Sequence, residues 1–285
     1  MVESVQGRSW TAADGYIHHF QEYSPQGPAK GILVFIHGIQ SHAGWYESSC
    51  QWFASQGYRV VFLDRRGSGK NSLHRGDSPS FRTLLADLAA ILPWIRKEQP
   101  SLPLFLCGIS WGGKTALGLE IFHPGLVEGF IFLCPGFCPR ISPPFCLRLR
   151  IALARLFSPG KMFPIPLNDP ALFTSDPQAQ EFIRTDPHAL RQASARFLFD
   201  SVRLDFYLRG FLKPTKKPVL LLLAEKDRII DNEKTKRFVK KFAPESLQTQ
   251  LYSGASHTLE FEPEPRQFLS DILGWLDRAT LLNQA

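Results

Sequence analysis

The chain has 285 residues, of which 44% are hydrophobic and 21% are charged, and its formal net charge is +7. These values are typical of a globular protein with one large α/β domain or two small ones, and they exclude a disordered or repetitive chain. Since no apolar run approaches the ~18 residues of a membrane span, and residues 1–10 lack the pattern of a signal peptide, we expect a cytoplasmic protein.

Short apolar runs alternate with helical patterns along the chain. An Asp14-Gly15 turn precedes the first predicted strand, Gly57 ends the first predicted helix, and Ser80 is suited to cap the second. The predicted strands lie at residues 16–20, 31–36, 59–63, 102–107, 127–133, 218–224 and 247–252, and the predicted helices at 45–56, 81–97, 113–122 and 266–282. Continuous apolar strands that alternate with helices predict an α/β fold with a mainly parallel, doubly wound sheet.

A long segment from about Cys138 to Lys217 interrupts this alternation. It is rich in proline at first and helical later, and a connection of this length must have structure of its own. We interpret residues 138–215 as a cap over the carboxyl ends of the strands, and residues 1–137 and 216–285 as the core.

The net positive charge of the chain lies in this same segment. Residues 139–217 contain 13 Lys and Arg against 6 Asp and Glu, so the remainder of the chain is neutral. The basic residues follow no nucleic-acid-binding motif, so we expect no nucleic-acid partner. Residues 147–157 form an amphipathic pattern that fits either peripheral contact with an anionic membrane or acyl chain, or packing on the core with solvated arginines.

Gly-Ile-Ser-Trp-Gly at residues 108–112 is the motif that carries chemistry. It joins the apolar run 102–107 to the helical pattern 113–122, and G-x-S-x-G on a strand-to-helix turn is a nucleophile elbow. The glycines avoid clashes that a Cβ would cause, and the start of the helix favours negative charge. Ser110 is therefore the predicted nucleophile.

A serine hydroxyl needs a histidine to remove its proton and a carboxylate to orient that histidine. His257 follows the last predicted strand and Asp227 follows the strand before it, which gives the chain order Ser, Asp, His expected with this elbow. Glu225 and Asp231 are rivals for the acid, although Asp231 is also suited to cap the next helix. We predict a triad of Ser110, His257 and Asp227.

A tetrahedral intermediate needs two backbone N–H donors, which we assign to Ile39 and Trp111. Ile39 follows Gly38, which allows the backbone to turn, and Trp111 follows the nucleophile. Gly38, His42 and Ile109 are candidates to line the site, with a surface position as the alternative for His42.

The remaining polar motifs have structural interpretations. Residues 64–72 lack the spacing of a phosphate-binding loop and predict a tight turn braced by Asp64. Five cysteines follow no disulfide framework, which fits a reducing compartment. Because no histidine lies near Cys134, Cys138 or Cys146, we expect no metal site, and we expect no cofactor.

Taken together, several motifs resemble the monoacylglycerol lipase and lysophospholipase-like (serine aminopeptidase-like) branch of the α/β-hydrolases over about residues 10–278. They are His37-Gly38, Trp45-Tyr46-Glu47, Asp-Arg-Arg-Gly-Ser-Gly at 64–69, Gly-Ile-Ser-Trp-Gly-Gly at 108–113, Asp-Arg-Ile-Ile-Asp at 227–231, and Gly-Ala-Ser-His at 254–257. The resemblance implies an eight-stranded sheet, a helical cap inserted after the sixth strand, the same triad and oxyanion donors, and a small-molecule or lipid ester as substrate.

Ile109, Trp111 and Lys114 depart from the usual pattern of that branch, and Ser-Trp-Gly-Gly is similar to the proline iminopeptidases. A serine hydrolase of carboxylic esters is therefore our first hypothesis. Hydrolysis of amides, thioesters or C–C bonds by the same triad is the alternative, and a non-catalytic binding protein is the third. An aminopeptidase would need acidic side chains near the site to hold the substrate amine. The candidates for that role are Glu181, Asp200 and Asp205.

Overall fold

The computed structural model describes residues 5–263 and 266–284, and its largest element is an eight-stranded sheet. The strands are β1 (Val5–Thr11), β2 (Ile17–Tyr23), β3 (Gly31–Ile36), β4 (Tyr58–Leu63), β5 (Leu104–Ile109), β6 (Gly129–Leu133), β7 (Met162–Pro164), β8 (Gln192–Ser194), β9 (Val219–Ala224) and β10 (Leu247–Tyr252). The α-helices are α1 (Glu47–Ser55), α2 (Phe81–Lys97), α3 (Trp111–Phe122), α4 (Phe145–Phe157), α5 (Pro177–Thr185), α6 (Ala195–Gly210), α7 (Asn232–Phe242) and α8 (Arg266–Gln284).

The strand order of the large sheet is β1-β2-β4-β3-β5-β6-β9-β10. Every neighbouring pair from β4 to β10 is parallel, whereas β1 pairs antiparallel with β2, and β2 with β4. Asp14-Gly15 lies in the turn that joins β1 to β2, where Thr11 pairs with Ile17. The predicted mainly parallel, doubly wound sheet of eight strands is confirmed, and its first two strands are the antiparallel ones.

Apolar side chains explain why these strands lie inside the molecule. Every residue of β3, β4 and β5 is buried, as expected for strands covered by helices on both faces. Phe105 of β5 contacts Trp275 of α8 with 5.6 Å between the ring centroids, and Phe35 of β3 contacts Phe53 of α1 at 6.0 Å. The predicted cap of α2 is also present, because the Ser80 side chain accepts a hydrogen bond from the N–H of Thr83.

Some boundaries differ from the predictions for a simple physical reason. The strand predicted at 102–107 occupies 104–109, and α3 begins at Trp111 instead of residue 113. The pattern of apolar residues does not show where backbone pairing between strands ends. In the structure, Gly108 pairs with Phe132 and Ile109 with Leu133. This pairing therefore extends β5 to Ile109, so that Ser110 alone separates the strand from the helix.

The segment between β6 and β9 contains α4, α5, α6 and the antiparallel pair of β7 and β8. Helix α6 contacts both α2 and α3, and α4 contacts α6. This is the region interpreted above as a cap, and its boundaries at residues 138 and 215 stay a prediction. No helix within the described parts of the chain is long and apolar enough to cross a bilayer.

We expect Gly112→Ala to destabilise the protein by roughly 3 kcal/mol, because a Cβ at this position would lie 2.3 Å from the Ile36 carbonyl oxygen and would push α3 off β3. Thermal unfolding measures the effect. Gly160→Ala is the matched control, since no atom lies within 4 Å of its added Cβ. A Gly112→Ala variant that melts with the wild type would contradict this account of the α3 packing.

Candidate active site

Ser110 lies in the turn between β5 and α3, in a backbone conformation that costs free energy. Its φ of 49° and ψ of −118° are sparsely populated by residues other than glycine. The turn is held by the hydrogen bond from Ser110 N–H to the Leu133 carbonyl, at 2.9 Å, and by bonds to the Ser110 carbonyl from the N–H groups of Gly113 and Gly136. These bonds fix the position of the Ser110 hydroxyl through the backbone.

Glycines let the helix start close to the strands. A Cβ at Gly108 would lie 2.7 Å from the Cα of Gly113, and a Cβ at Gly113 would lie 2.7 Å from the Cβ of Pro135. The pattern that predicted the elbow is thus explained by backbone approaches that a side chain would block.

His257 and Asp227 reach Ser110 from two neighbouring loops. Asp227 follows β9 and His257 follows β10, and parallel strands place their carboxyl ends at one edge of the sheet. His257 Nε2 lies 2.9 Å from Ser110 Oγ, and His257 Nδ1 lies 2.6 Å from Asp227 Oδ2. The three predicted residues therefore form one hydrogen-bonded chain.

Asp227 is itself held by backbone donors. Its Oδ1 accepts hydrogen bonds from the N–H groups of Ile229 and Ile230, at 2.8 and 3.0 Å. A carboxylate oxygen can only accept, so Nδ1 of His257 carries the hydrogen that faces Asp227. Nε2 is then the acceptor for the Ser110 hydroxyl, which is the tautomer that a general base requires.

The two rival acids lie elsewhere. The Asp231 side chain accepts from the N–H of Lys234 and caps α7, as its position in the sequence suggested. Glu225 accepts from Ser253 and from the N–H of Gly254 at the surface. Among the described residues, Asp227 is thus the one acid bonded to His257.

Ile39 and Trp111 present backbone N–H groups beside the nucleophile. Neither N–H donates a hydrogen bond to another group in the described part of the chain. Gly38 lies against Ser110, because a Cβ on Gly38 would lie 3.3 Å from the Ser110 Cβ. Both N–H groups are therefore free to bind an oxygen of a reacting group.

A cavity of about 490 Å³ opens at Ser110. Ile39 and Trp111 line it together with Ser110, and the segment between β6 and β9 contributes mainly apolar side chains from α4 and α6, such as Ile151 and Val202. The wall also contains three charged side chains. They are Lys114, Arg148 and Asp205.

Two side chains of the elbow bond to α6. Trp111 Nε1 donates to Ser201 Oγ at 2.8 Å, and Lys114 Nζ forms an ion pair with Asp205 at 2.8 Å. Burial raises the pKa of Asp205, although the Lys114 ammonium opposes this shift. The Lys114 amine, at a position that departs from the usual pattern of the branch, is thus paired with a residue of α6.

His42 and Ile109 do not contribute to the described lining of this cavity. Ile109 is buried in the core, and His42 Nε2 lies 2.9 Å from Asp186 Oδ2. Burial acts to raise the pKa of Asp186, but hydrogen bonds from His42 and Trp45 outweigh it and lower the pKa to about 2. His42 therefore joins the loop after β3 to Asp186, directly after α5, a role that the sequence does not suggest.

Cys134, Asp227 and His257 form a buried group whose potential ligand atoms lie within 4.8 Å of one another. Burial, reinforced by the charge of Asp227, raises the pKa of the Cys134 thiol well above its ordinary value. Since metals bind the thiolate, and Asp227 and His257 already bond to each other, this group does not fit a metal centre.

A sequence model of the family described as "Serine aminopeptidase, S33" matches residues 27–264. The chain belongs to this family. Among its relatives, a monoacylglycerol lipase of Mycolicibacterium smegmatis is 25% identical over 97% of this chain and 99% of that protein, and the human monoglyceride lipase is 24% identical over 94% and 89%.

The fold has relatives among solved structures. A soluble variant of the Saccharomyces cerevisiae monoglyceride lipase, solved with a substrate analogue, superposes with a TM-score of 0.84 at 21% identity and covers 98% of this chain and 96% of that one. The family match and the lipase relatives, together with this shared fold, confirm the resemblance to the monoacylglycerol lipase-like branch of the α/β-hydrolases.

We expect Asp227→Asn to lower kcat/KM for an ester roughly a thousandfold or more, because an amide can present N–H to His257 and select the wrong tautomer. Steady-state hydrolysis of p-nitrophenyl octanoate measures the change. Asp231→Asn is the matched control, because asparagine caps a helix about as well as aspartate. An equal loss of kcat/KM in both variants, or a larger loss in Asp231→Asn, would show that Asp227 is not the acid that orients His257.

Proposed function

We propose that the chain is a serine hydrolase of carboxylic esters that acts on monoacylglycerol-like or lysophospholipid-like acyl esters. The observation that carries the proposal is the hydrogen-bonded chain Ser110–His257–Asp227 at the mouth of a largely apolar cavity of about 490 Å³. The relatives named monoacylglycerol or monoglyceride lipase support the same substrate class.

In this proposal, Ser110 Oγ attacks the acyl carbonyl while His257 Nε2 takes the hydroxyl proton. Asp227 orients His257 and stabilises the imidazolium that forms. The N–H groups of Ile39 and Trp111 bind the oxyanion of the tetrahedral intermediate. His257 then gives its proton to the leaving alcohol, and a water molecule activated by His257 releases the acid from the acyl-enzyme.

The cavity favours an acyl chain over a polar substrate portion. Apolar side chains from the cap, such as Ile151 and Val202, line it together with Ile229 and Ile230 of the core. Each methylene that leaves water for such a surface contributes about 0.8 kcal/mol.

The amine site that an aminopeptidase needs has no free acid in the described residues. Asp205 lines the cavity but is paired with Lys114, and Asp200 accepts from Arg203 and from the N–H of Phe81. Glu181 is exposed and forms an ion pair with Arg184. These pairings favour esters over peptides with a free amino terminus, and a hydrogen-bonded triad favours catalysis over binding alone. Thioester and C–C bond hydrolysis, which the same triad can perform, are decided by assay.

We further propose that residues 138–215 act as a cap through which the substrate enters, over a core formed by residues 1–137 and 216–285. The outer surface of α4 exposes large apolar side chains, among them Phe145 at 76% and Phe157 at 81%. Arg148 and Arg150 are exposed on the same helix. Apolar and basic side chains on one helix are suited to an anionic lipid surface, which would deliver the substrate to the cavity.

A fluorophosphonate probe tests the nucleophile. We expect the wild type to be labelled and Ser110→Ala to escape labelling, because the probe reacts with an activated serine. Ser142→Ala, which removes a second hydroxyl from the cavity wall, is the control and should label normally. Octanoate esters should exceed acetate esters in kcat/KM by about tenfold or more, since several methylenes become buried.

Two outcomes would reject this proposal. Labelling that persists in Ser110→Ala would show that Ser110 is not the nucleophile. A higher kcat/KM for acetate than for octanoate esters would show that the substrate is not lipid-like. Faster turnover of amino-acid p-nitroanilides than of esters would instead favour the aminopeptidase alternative.

Membrane contact predicts a salt-sensitive association. Cosedimentation with vesicles of phosphatidylcholine and phosphatidylserine should fall as NaCl rises from about 0.1 M to about 1 M, because the Debye length shortens from about 10 Å to about 3 Å. Phe157→Ser should weaken binding, whereas Leu281→Ser, which changes another exposed apolar side chain, on α8, should not. Binding that is equal in both variants and insensitive to salt would mean that α4 is only a solvated surface.

A further inference from the structure

Arg65 is a buried cation that lies directly behind the oxyanion loop. It follows β4, and its side chain is almost completely buried. Its Nη1 donates to the Gly38 carbonyl and its Nη2 to the Ile39 carbonyl, both at 3.1 Å, while Nη2 also donates to Ser68 Oγ at 2.8 Å. The guanidinium thus holds the carbonyls on both sides of Ile39.

The same guanidinium touches the second donor of the site. Its central carbon lies 4.8 Å from the ring centroid of Trp111 and 5.1 Å from that of Phe197, within the range of a cation–π contact. One side chain therefore links Ile39, on the loop after β3, to Trp111, on the elbow.

Arg65 forms no ion pair with a carboxylate in the described parts of the chain, unlike the other two buried arginines that follow or belong to β4. Arg59 pairs with Glu22 and Glu98, and Arg66 with Asp14 and Asp87.

The neighbouring acid, Asp64, accepts instead from the N–H groups of Ala43 and Lys70. Burial lowers the pKa of Arg65 to about 9, although the charge of Asp64 acts against this shift. A buried charge that forms no ion pair destabilises the folded state, so the Arg65 guanidinium lowers the free energy of unfolding.

His37 adds a second donor to the same carbonyl. Its Nε2 accepts from the N–H of Arg65 at 2.9 Å, which leaves Nδ1 to donate to the Gly38 carbonyl at 2.7 Å. Burial lowers the pKa of His37 well below its ordinary value, so the ring is neutral and keeps this tautomer. The Gly38 carbonyl therefore accepts one hydrogen bond from an imidazole and one from a guanidinium.

The Gly38 carbonyl and the Ile39 N–H belong to one peptide group. Hydrogen bonds to the oxygen of an amide polarise it and make its N–H a stronger donor. Both bonds to the oxygen also fix the plane of the peptide, so the N–H of Ile39 keeps one direction.

We propose that Arg65 is a positioning residue that orients and polarises the Gly38–Ile39 peptide, and that its positive charge, which forms no ion pair among the described residues, stabilises the oxyanion of the transition state. The inference rests on the proposed esterase function. Burial of the cation destabilises the resting enzyme, and the negative charge that develops in the transition state offsets this cost. The cation therefore lowers the activation free energy and does not tighten substrate binding.

Two inhibitors of matched shape separate this role from a structural one. A trifluoromethyl ketone with an octyl chain adds Ser110 and forms a tetrahedral oxyanion, whereas the corresponding methyl ketone binds largely as the ketone. We expect Arg65→Met to weaken the trifluoromethyl ketone and to lower kcat per titrated active site together, by roughly tenfold to a hundredfold. KM and the affinity for the methyl ketone should change by less than about threefold, since the ground state has no oxyanion.

Arg65→Lys keeps a positive charge but cannot hold both carbonyls, so it should fall between the wild type and Arg65→Met. It also serves if Arg65→Met folds poorly. Arg59→Met, which removes a buried arginine distant from Ser110, is the control: its melting temperature should drop while kcat per titrated site stays at the wild-type value.

The proposal is overturned if the Arg65 variants lose only stability, or if they lose affinity for both ketones equally. If the wild type neither reacts with fluorophosphonate nor hydrolyses any ester, the esterase function itself is rejected. If the wild type is active and the Arg65 variants have the same kcat and inhibitor affinities, only the proposed role of Arg65 is rejected.

Discussion

The close approach of α3 to β3 and β5 is the constraint on which the site depends. Gly108, Gly112 and Gly113 have no side chains at the contact, so the first turn of the helix lies against backbone atoms of the sheet. This forces Ser110 into its unusual conformation, with a φ of 49°. The position of the Ser110 backbone is therefore fixed by backbone packing, and a change of side-chain rotamer does not alter it.

The other parts of the site depend on the same edge of the sheet. Neighbouring parallel strands end at the same edge of the sheet. The loops after β3, β5, β9 and β10 therefore all begin at the edge where Ser110 lies. Electrostatics then distinguishes one charge from the rest. Most buried charges in the described chain form ion pairs, such as Arg66 with Asp87. The guanidinium of Arg65 instead contacts backbone carbonyls, a hydroxyl and two aromatic rings, and no carboxylate among the described residues forms an ion pair with it.

The sequence predicted the parts of the site that are local. Ser110 was recognisable from glycines within two residues of it, and Asp227 and His257 from the strands directly before them. The roles of other residues depend on partners far along the chain. Lys114 pairs with Asp205 across 91 residues and His42 with Asp186 across 144, and both partners lie in the segment between β6 and β9.

No periodicity encodes how that segment sits on the core, so these pairings were not predictable. The segment 64–72 was correctly interpreted as a braced turn, since Asp64 accepts from Ala43 and Lys70. The burial of Arg65, which follows Asp64, is not predictable, because nothing in the sequence indicates that an arginine among polar residues is buried.

The two long helices of the segment over the cavity differ in how firmly they are attached. Helix α6 buries five residues and is bonded to the elbow through Ser201 and Asp205, whereas α4 buries only Ile151. A helix with few buried contacts opens at a lower free energy than one anchored at several points. The side of the cavity formed by α6 is therefore attached firmly to the turn around Ser110. Local opening at α4 would cost less free energy, because this helix has fewer buried side chains to expose.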